Sequence, residues 1–189
     1  GLLYLISAVK KSGFNINFIN GHSKKKKALV LPEQFQYLNK YINHSNPLLS
    51  FPFKEYYHFG LSYEYIRAKV KSMATDIFFI SSLFTTYYEE VDQVINIIKE
   101  EQPTAKITVG GYHASLYPEY YLKELAVDYV ISGEGDMSIL QLLDYVRGKI
   151  NLSAVDNLLY LDDKRVTQNN LWFEDNLNRF SFPDRSYLT

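Results

Sequence analysis

The chain has no cysteine. Disulfides, thiolate nucleophiles, zinc–cysteine sites and iron–sulfur clusters are therefore excluded within it. It has no apolar stretch near the roughly 20 residues that span a bilayer, and no signal-peptide pattern. A cytoplasmic location without membrane contact is the expectation. Net charge is small, −1 over 189 residues, and that balance does not call for nucleic acid or an acidic surface. The Gly-x-Gly-x-x-Gly fingerprint of dinucleotide sites is also missing.

Hydrophobic residues make up 47% of the chain and charged residues 22%, which is ordinary for a globular protein. The length allows one domain with a real core, or one domain with an appendage. The 17 tyrosines and 12 phenylalanines supply broad amphipathic surface, suited to a flat ligand or a partner domain and equally to a core.

The chain is organised around Ala105–Ser115, AKITVGGYHAS. Ile107 and Val109 alternate with polar Lys106 and Thr108, and Gly110-Gly111 stops the run. A strand ending in Gly-Gly before a helix lets backbone approach a ligand closely, because no Cβ intervenes. Any tight strand-to-helix turn also favours glycine, so the flanking segments decide what the pair means.

From the start, Gly1–Ser12 reads as a helix with Leu2, Leu3, Ile6 and Val9 in a stripe and Gly13 as its stop. Asn15–Asn20, NINFIN, alternates and reads as a strand. Gly21–Ser62 is irregular. Its lysine run, Lys24–Lys27, reads as a solvated loop. Leu29–Leu31 reads as a short strand and Pro32 as the start of a helix through Tyr41. Pro47 and Pro52 are breaks. His22, His44 and His58 stand singly, without a second ligand at metal spacing, and read as surface or core histidines. No metal ligand and no catalytic residue is predicted.

The rest is regular. Tyr63–Met73 is a helix capped by Ser62, and Asp76–Leu83 a near-continuous apolar strand of the buried parallel type. Tyr87–Glu101 is a helix with Val91, Val94, Ile95 and Ile98 at helical spacing. After the Gly-Gly strand come a short helix over Pro118–Leu125, a strand over Asp128–Ser132 and a helix over Met137–Val146. This alternation predicts an α/β fold, a three-layer Rossmann-like (flavodoxin-like) parallel sheet with helices on both faces. Val155–Leu161 and Lys164–Gln168 flank Asp162-Asp163 as a β-hairpin, and SFPDRSYLT reads as an extended linker. The expected organisation is an α/β domain over 1–150, with 21–62 as an insertion or irregular segment, then a hairpin and connector over 151–189.

The three strands end in the loops SLFTT, GGYHAS and GEGD. Ligands of open α/β sheets bind at such carboxyl ends. Ser81-Ser82-Leu83-Phe84-Thr85 fits Ser-x-Leu-x-Thr. With Gly110-Gly111 in the next loop it resembles two signature motifs of cobalamin-binding domains. The longer pattern GGYHAS, PEYYL, VDYVISGEGD is similar to the N-terminal domain of cobalamin-dependent radical SAM proteins, including relatives of the anaerobic magnesium-protoporphyrin monomethyl ester cyclase. The resemblance implies cobalamin as cofactor, held by Ser81, Ser82, Leu83, Thr85, Gly110, Gly111, Tyr112, His113, Gly133, Glu134 and Gly135. It implies a partner domain of the same parent chain, a radical SAM barrel carrying a [4Fe–4S] cluster and S-adenosylmethionine, and a parent reaction of methyl transfer or oxidative cyclisation. This chain alone is expected to have no catalytic activity.

Two departures accompany the resemblance. The family's Asp-x-His-x-x-Gly motif, source of the lower axial histidine, is not present; Gly21-His22-Ser23 follows the wrong segment, and His113 lies in the wrong loop for that role and reads as a polar or core contact. The family's first strand belongs before Gly1, in the sheet order 2-1-3-4-5; either the chain is cut there, or another segment such as Ala28–Leu31 fills the place. Two other readings stand beside the first. One is a domain of the same fold that binds no cofactor and serves as scaffold or docking surface. The other is a flavodoxin-like nucleotide or phosphate binder using Gly110-Gly111 at a helix start. Ser81 and Thr85 also have a purely structural alternative, a strand end and a helix cap.

Overall fold

A computed structural model of the chain describes residues 1–21, 26–41, 56–176, 178 and 182–188. Two compact units emerge, one of Gly1–Phe18 with Ile66–Thr189, the other Ile19–Tyr65.

The larger unit is built on a five-stranded sheet in the order β3-β4-β5-β6-β7, with β3 Ile77–Ser81, β4 Lys106–Gly110, β5 Tyr129–Ile131, β6 Leu158–Asp162 and β7 Arg165–Gln168. β3, β4 and β5 run parallel and are joined by two crossovers. β6 and β7 run antiparallel and continue the same sheet. The hairpin is thus part of the sheet rather than an appendage. Its turn residues, Asp163 and Lys164, both have positive φ, as a two-residue type I′ turn demands.

Register assigns the faces. Ile77, Phe79, Tyr129, Ile131, Leu158 and Tyr160 point to one side. There they pack with Ile139, Leu142 and Leu143 of α5 (Asp136–Val146) and with Leu5 and Val9 of α1 (Leu2–Lys11). Ile107, Val109 and Val130 point to the other side and are buried. Right-handed crossovers place α3 (Tyr88–Glu101) there, with Ile95 and Ile98 buried. At the C-terminal end of α3, Gln102 Nε2 donates to the carbonyls of Val70 and Met73, fixing α2 (Tyr63–Lys71) alongside. Ser62 caps α2 through the Tyr65 amide, at 3.3 Å. Gly13 leaves α1 with φ 77°.

Several expectations are corrected. Asn15–Asn20 forms no strand; alternation orders side chains, but a strand also needs the ladder of a neighbouring strand. β3 is half-buried rather than buried, because it lies at the sheet edge, pairing only with β4 among the described residues. The helix expected from Pro118 is preceded by α4 (Tyr112–Leu116) and is wound as a π turn over Tyr120–Glu124.

The smaller unit holds the two-stranded antiparallel sheet of β1 (Lys26–Leu29) and β2 (Tyr56–Phe59). The short strand therefore begins at the lysines, with Lys26 Nζ 4.2 Å from the centre of the Tyr57 ring, rather than at Leu29–Leu31. Glu33–Tyr41 is a 3₁₀ helix instead of an α-helix. The unit closes at a neck where the Leu61 amide donates to the Gly21 carbonyl at 3.1 Å. Gly60 there has φ 135°, and a Cβ on it would stand 2.8 Å from that carbonyl oxygen. His58 lies on β2, its Nε2 3.4 Å from the Leu61 carbonyl. His22, Lys24, Lys25, His44, Pro47 and Pro52 lie outside the described residues. No described helix is long and apolar enough to cross a membrane.

Candidate functional site at the carboxyl ends of the parallel strands

The parallel strands deliver the SLFTT, GGYHAS and GEGD loops to one end of the sheet. Pairing Ser81 with Gly110 and Gly110 with Ile131 puts Ser81 and Gly110 on the α1/α5 face. Ser81 is exposed. Gly110 has room for a Cβ at ordinary contact distance, 3.7 Å from the Ile131 carbonyl oxygen, so having no side chain opens space on this face. Two residues below, on the same face, lies Thr108. It is 1% exposed, and its Oγ1 has no hydrogen-bond partner among the described residues. A buried hydroxyl without a partner is costly.

The next residue along each strand turns to the opposite face. Ser82 (1% exposed), His113 (4%) and Tyr121 (0%) meet there. Tyr121 Oη is 2.8 Å from both Ser82 Oγ and His113 Nδ1. The His113 ring is surrounded by Tyr88, Tyr117 and Tyr121, with centroids 4.9–5.8 Å away. The backbone repeats the link: the Ser82 amide donates to the Gly110 carbonyl at 2.7 Å, and the His113 amide to the Ser82 carbonyl at 3.1 Å. Gly111 makes this possible. Its φ is 111°, and a Cβ on it would lie 2.6 Å from the Ser82 carbonyl oxygen.

Electrostatics on this side follow burial. Desolvation raises the Tyr121 hydroxyl above its ordinary value despite the opposing Ser82 hydrogen bond. Tyr120 Oη donates to Asp92 Oδ2 at 2.5 Å. Burial raises the Asp92 carboxyl, against that hydrogen bond, and burial together with the Asp92 carboxylate raises Tyr120.

The rim is apolar. Leu83, Phe84, Tyr87, Tyr112, Leu116 and Tyr117 are exposed. Phe84 meets Tyr87 edge-on at 6.1 Å. Thr85 opens a 3₁₀ turn, Thr85–Tyr87, and neither that turn nor α3 has a side-chain cap hydrogen bond. The helix-capping alternative for Thr85 is not what its hydroxyl does.

At the third loop, the Gly133 amide donates to Ser115 Oγ at 3.0 Å, and Ser115 Oγ donates to the Gly111 carbonyl at 3.0 Å. Glu134 Oε2 accepts the Glu174 amide. Buried Asn157 secures the same segment: its Nδ2 donates to the carbonyls of Glu134 and Trp172, while its Oδ1 accepts the Trp172 amide at 2.7 Å. Gly135 lies under Leu5 of α1. Burial raises Asp136 at the first turn of α5, against the pull of backbone amides. Among the described residues, no three His, Asp or Glu side chains stand close enough together to hold a metal ion.

The structure thus divides the expected site residues. Ser81, Leu83, Thr85, Gly110, Tyr112 and Gly133 lie at the open end. Ser82 and His113 are buried against Tyr121, Gly111 is packed on Ser82, and the Glu134 carboxylate holds the Glu174 backbone. Tyr121, Ser115, Thr108 and Asn157 are additions. Tyr121 reaches Ser82, Ser115 is reached from Gly133 and Asn157 reaches Glu134 and Trp172 across 15 to 39 positions, and only the period-two register of β4 could have flagged Thr108.

Residues 51–143 match the family model of the B12 binding domain. Cytidylyl-2-hydroxyethylphosphonate methyltransferase of Streptomyces wedmorensis is 27% identical over 108 residues, which cover 57% of this chain and 20% of that protein. The cobalamin-dependent S-adenosylmethionine radical enzyme OxsB, with aqua-cobalamin bound, superposes with a TM-score of 0.61 at 17% identity, covering 67% of this chain and 18% of its own. The radical S-adenosylmethionine methyltransferase TsrM of Kitasatospora setae gives 0.61 at 11% identity, covering 89% and 26%. The chain spans about a fifth to a quarter of the length of these proteins. Residues 51–143 thus resemble the B12 binding domain, and the fold is shared with cobalamin-dependent radical SAM enzymes.

Proposed function

We propose that this chain is the cobalamin-holding module of a radical SAM methyltransferase. One juxtaposition carries the reading. Exposed Ser81, side-chain-free Gly110 and the orphaned hydroxyl of Thr108 share one sheet face at the carboxyl ends of the parallel strands. A nucleotide tail needs such a groove, with backbone close by and hydroxyl donors or acceptors along it. The exposed apolar rim of Leu83, Phe84, Tyr87 and Tyr112 suits a broad macrocycle with an apolar body. These residues fit the cofactor.

The bound group would supply a cobalt centre able to carry a methyl group. This chain's own part is to bind, orient and shield it. Ser81 and Thr108 offer hydroxyl contacts, Gly110 gives backbone approach, and the aromatic rim excludes water. His113 does not serve as a cobalt ligand in this reading, since its ring is buried among Tyr88, Tyr117 and Tyr121. The [4Fe–4S] cluster and S-adenosylmethionine belong to a radical SAM domain of the same parent chain. Methyl transfer is favoured over oxidative cyclisation because two of the compared proteins are methyltransferases by name.

The test is a titration with hydroxocobalamin followed by gel filtration and a visible spectrum of the protein peak. We expect near-stoichiometric comigration, lost in a folded Gly110→Trp variant. Wild-type chain that retains none at saturating ligand overturns the cofactor reading and leaves the scaffold.

A further inference from the structure

We infer that α4 is the keystone of the site: His113 and Ser115, neither of which needs to touch a ligand, are positioning residues that tie all three strand-end loops into one rim. The cofactor-binding arm of the test below rests on the cobalamin reading; the structural arm does not.

α4 spans only Tyr112–Leu116, too short to persist by itself. It lies between the other two loops, contacting β4 and β5. On one side His113 reaches the first loop, through its ring to Tyr121 Oη and on to Ser82 Oγ, and through its amide to the Ser82 carbonyl. On the other side Ser115 reaches the third loop. Its hydroxyl accepts from the Gly133 amide and donates to the Gly111 carbonyl at the start of its own loop, so one hydroxyl links the third loop to the second. Buried polar networks of this kind rigidify when every member is satisfied, and preorganised loops bind without losing flexibility at the moment of association. The exposed rim residues then inherit their positions from their neighbours: Ser81 and Leu83 from buried Ser82, Tyr112 from buried His113, and Gly133 from half-buried Ser115.

Gly133 provides the decisive readout. It is exposed, and its amide is held by a side chain, Ser115, rather than by a strand or helix ladder. In the wild-type chain we expect amide exchange at Gly133 to be slowed several-fold relative to an unbonded loop amide. Ser115→Ala is expected to speed it roughly three- to tenfold, the worth of one hydrogen bond, with the amides of α5 unchanged. Ser115→Thr is expected to restore protection. His113→Phe, which keeps a ring among the tyrosines, is expected to speed exchange at the Ser82 and His113 amides, and Tyr121→Phe to do so in part. Hydroxocobalamin affinity should fall with the same variants by a similar factor and recover with Ser115→Thr.

Gly133 exchanging at a free-loop rate in the wild type, or protected equally in Ser115→Ala, overturns the keystone; the wild-type measurement decides even where a variant fails to fold. Faster loop exchange with unaltered cobalamin affinity overturns the positioning role. Absence of binding in the wild type overturns the cobalamin reading, while the exchange data still decide the keystone.

Discussion

At residue scale, backbone conformation makes opposite demands at two neighbouring turns. Gly111 at φ 111° faces the Ser82 carbonyl at 2.6 Å from any added Cβ. Gly111→Ala should destabilise by roughly 3 kcal/mol or more, since strain and a backbone clash add, whereas Gly110→Ala, with ordinary contacts, should cost under about 1 kcal/mol. Ala126 shows the reverse. It has φ 44° between the π turn and β5, a region unfavourable to a residue with Cβ, so Ala126→Gly should gain about 0.5–1 kcal/mol. Urea unfolding midpoints at constant m separate the three. Asn157 combines φ 60° with three side-chain hydrogen bonds. Asn157→Ala should cost about 3 kcal/mol and shift the emission of Trp172, the single tryptophan, to longer wavelength. None of these roles was legible in the sequence. A glycine pair announces a turn, but its partner, Ser82, lies 29 positions upstream of Gly111, and the Ser82–His113–Tyr121 group is assembled across separations of 8 to 39 residues.

At the scale of elements, legibility followed the strength of local periodicity. The helix α3, with its apolar residues at helical spacing, and the β6–β7 hairpin form where the pattern places them, with the turn at Asp163-Lys164 rather than Asp162-Asp163. NINFIN has the pattern and forms no strand, and β3 has the composition of a buried strand in an edge position; both depend on sheet pairing, which local sequence does not encode. One contact between elements titrates. Asp184 accepts from Ser186 and Lys10, and its amide donates to Ser7 Oγ at 2.7 Å, holding the C-terminal segment on α1. The hydrogen bonds from Ser186 and Lys10 lower its carboxyl to about 2, below the roughly 3.9 of an unfolded aspartate. The folded state therefore favours the ionised form. The contact is intact above about pH 4 and is lost as pH falls from there through about 2. Carbon-13 shifts of the Asp184 carboxyl should report that depressed titration, moving back toward the ordinary value in Ser186→Ala.

For the molecule as a whole, the buried apolar residues identified belong to the larger unit, and the smaller unit enters and leaves through the neck at Gly21 and Leu61. Because those two ends already meet, replacing residues 22–60 by two or three glycines closes a very short loop at little entropic cost. The shortened chain should keep a cooperative thermal transition within a few degrees of the parent, followed by circular dichroism. Collapse of that transition would show that the larger unit depends on the segment. The same variant, titrated with hydroxocobalamin, separates any contribution of the smaller unit to binding from that of the strand-end loops.

The joining of β6 and β7 to the parallel sheet carries a kinetic consequence. A hairpin with a two-residue turn closes within about 1–10 μs, whereas β3 and β4 meet only after the whole of α3 has been folded back between them, a slower non-local closure. β5, which pairs with β4 on one side and β6 on the other, joins the two regimes. The antiparallel half is the part of the sheet able to exist first and to offer an edge on which the parallel half assembles. Substitutions in the Asp163-Lys164 turn should then slow refolding, and substitutions in β3 should mainly quicken unfolding.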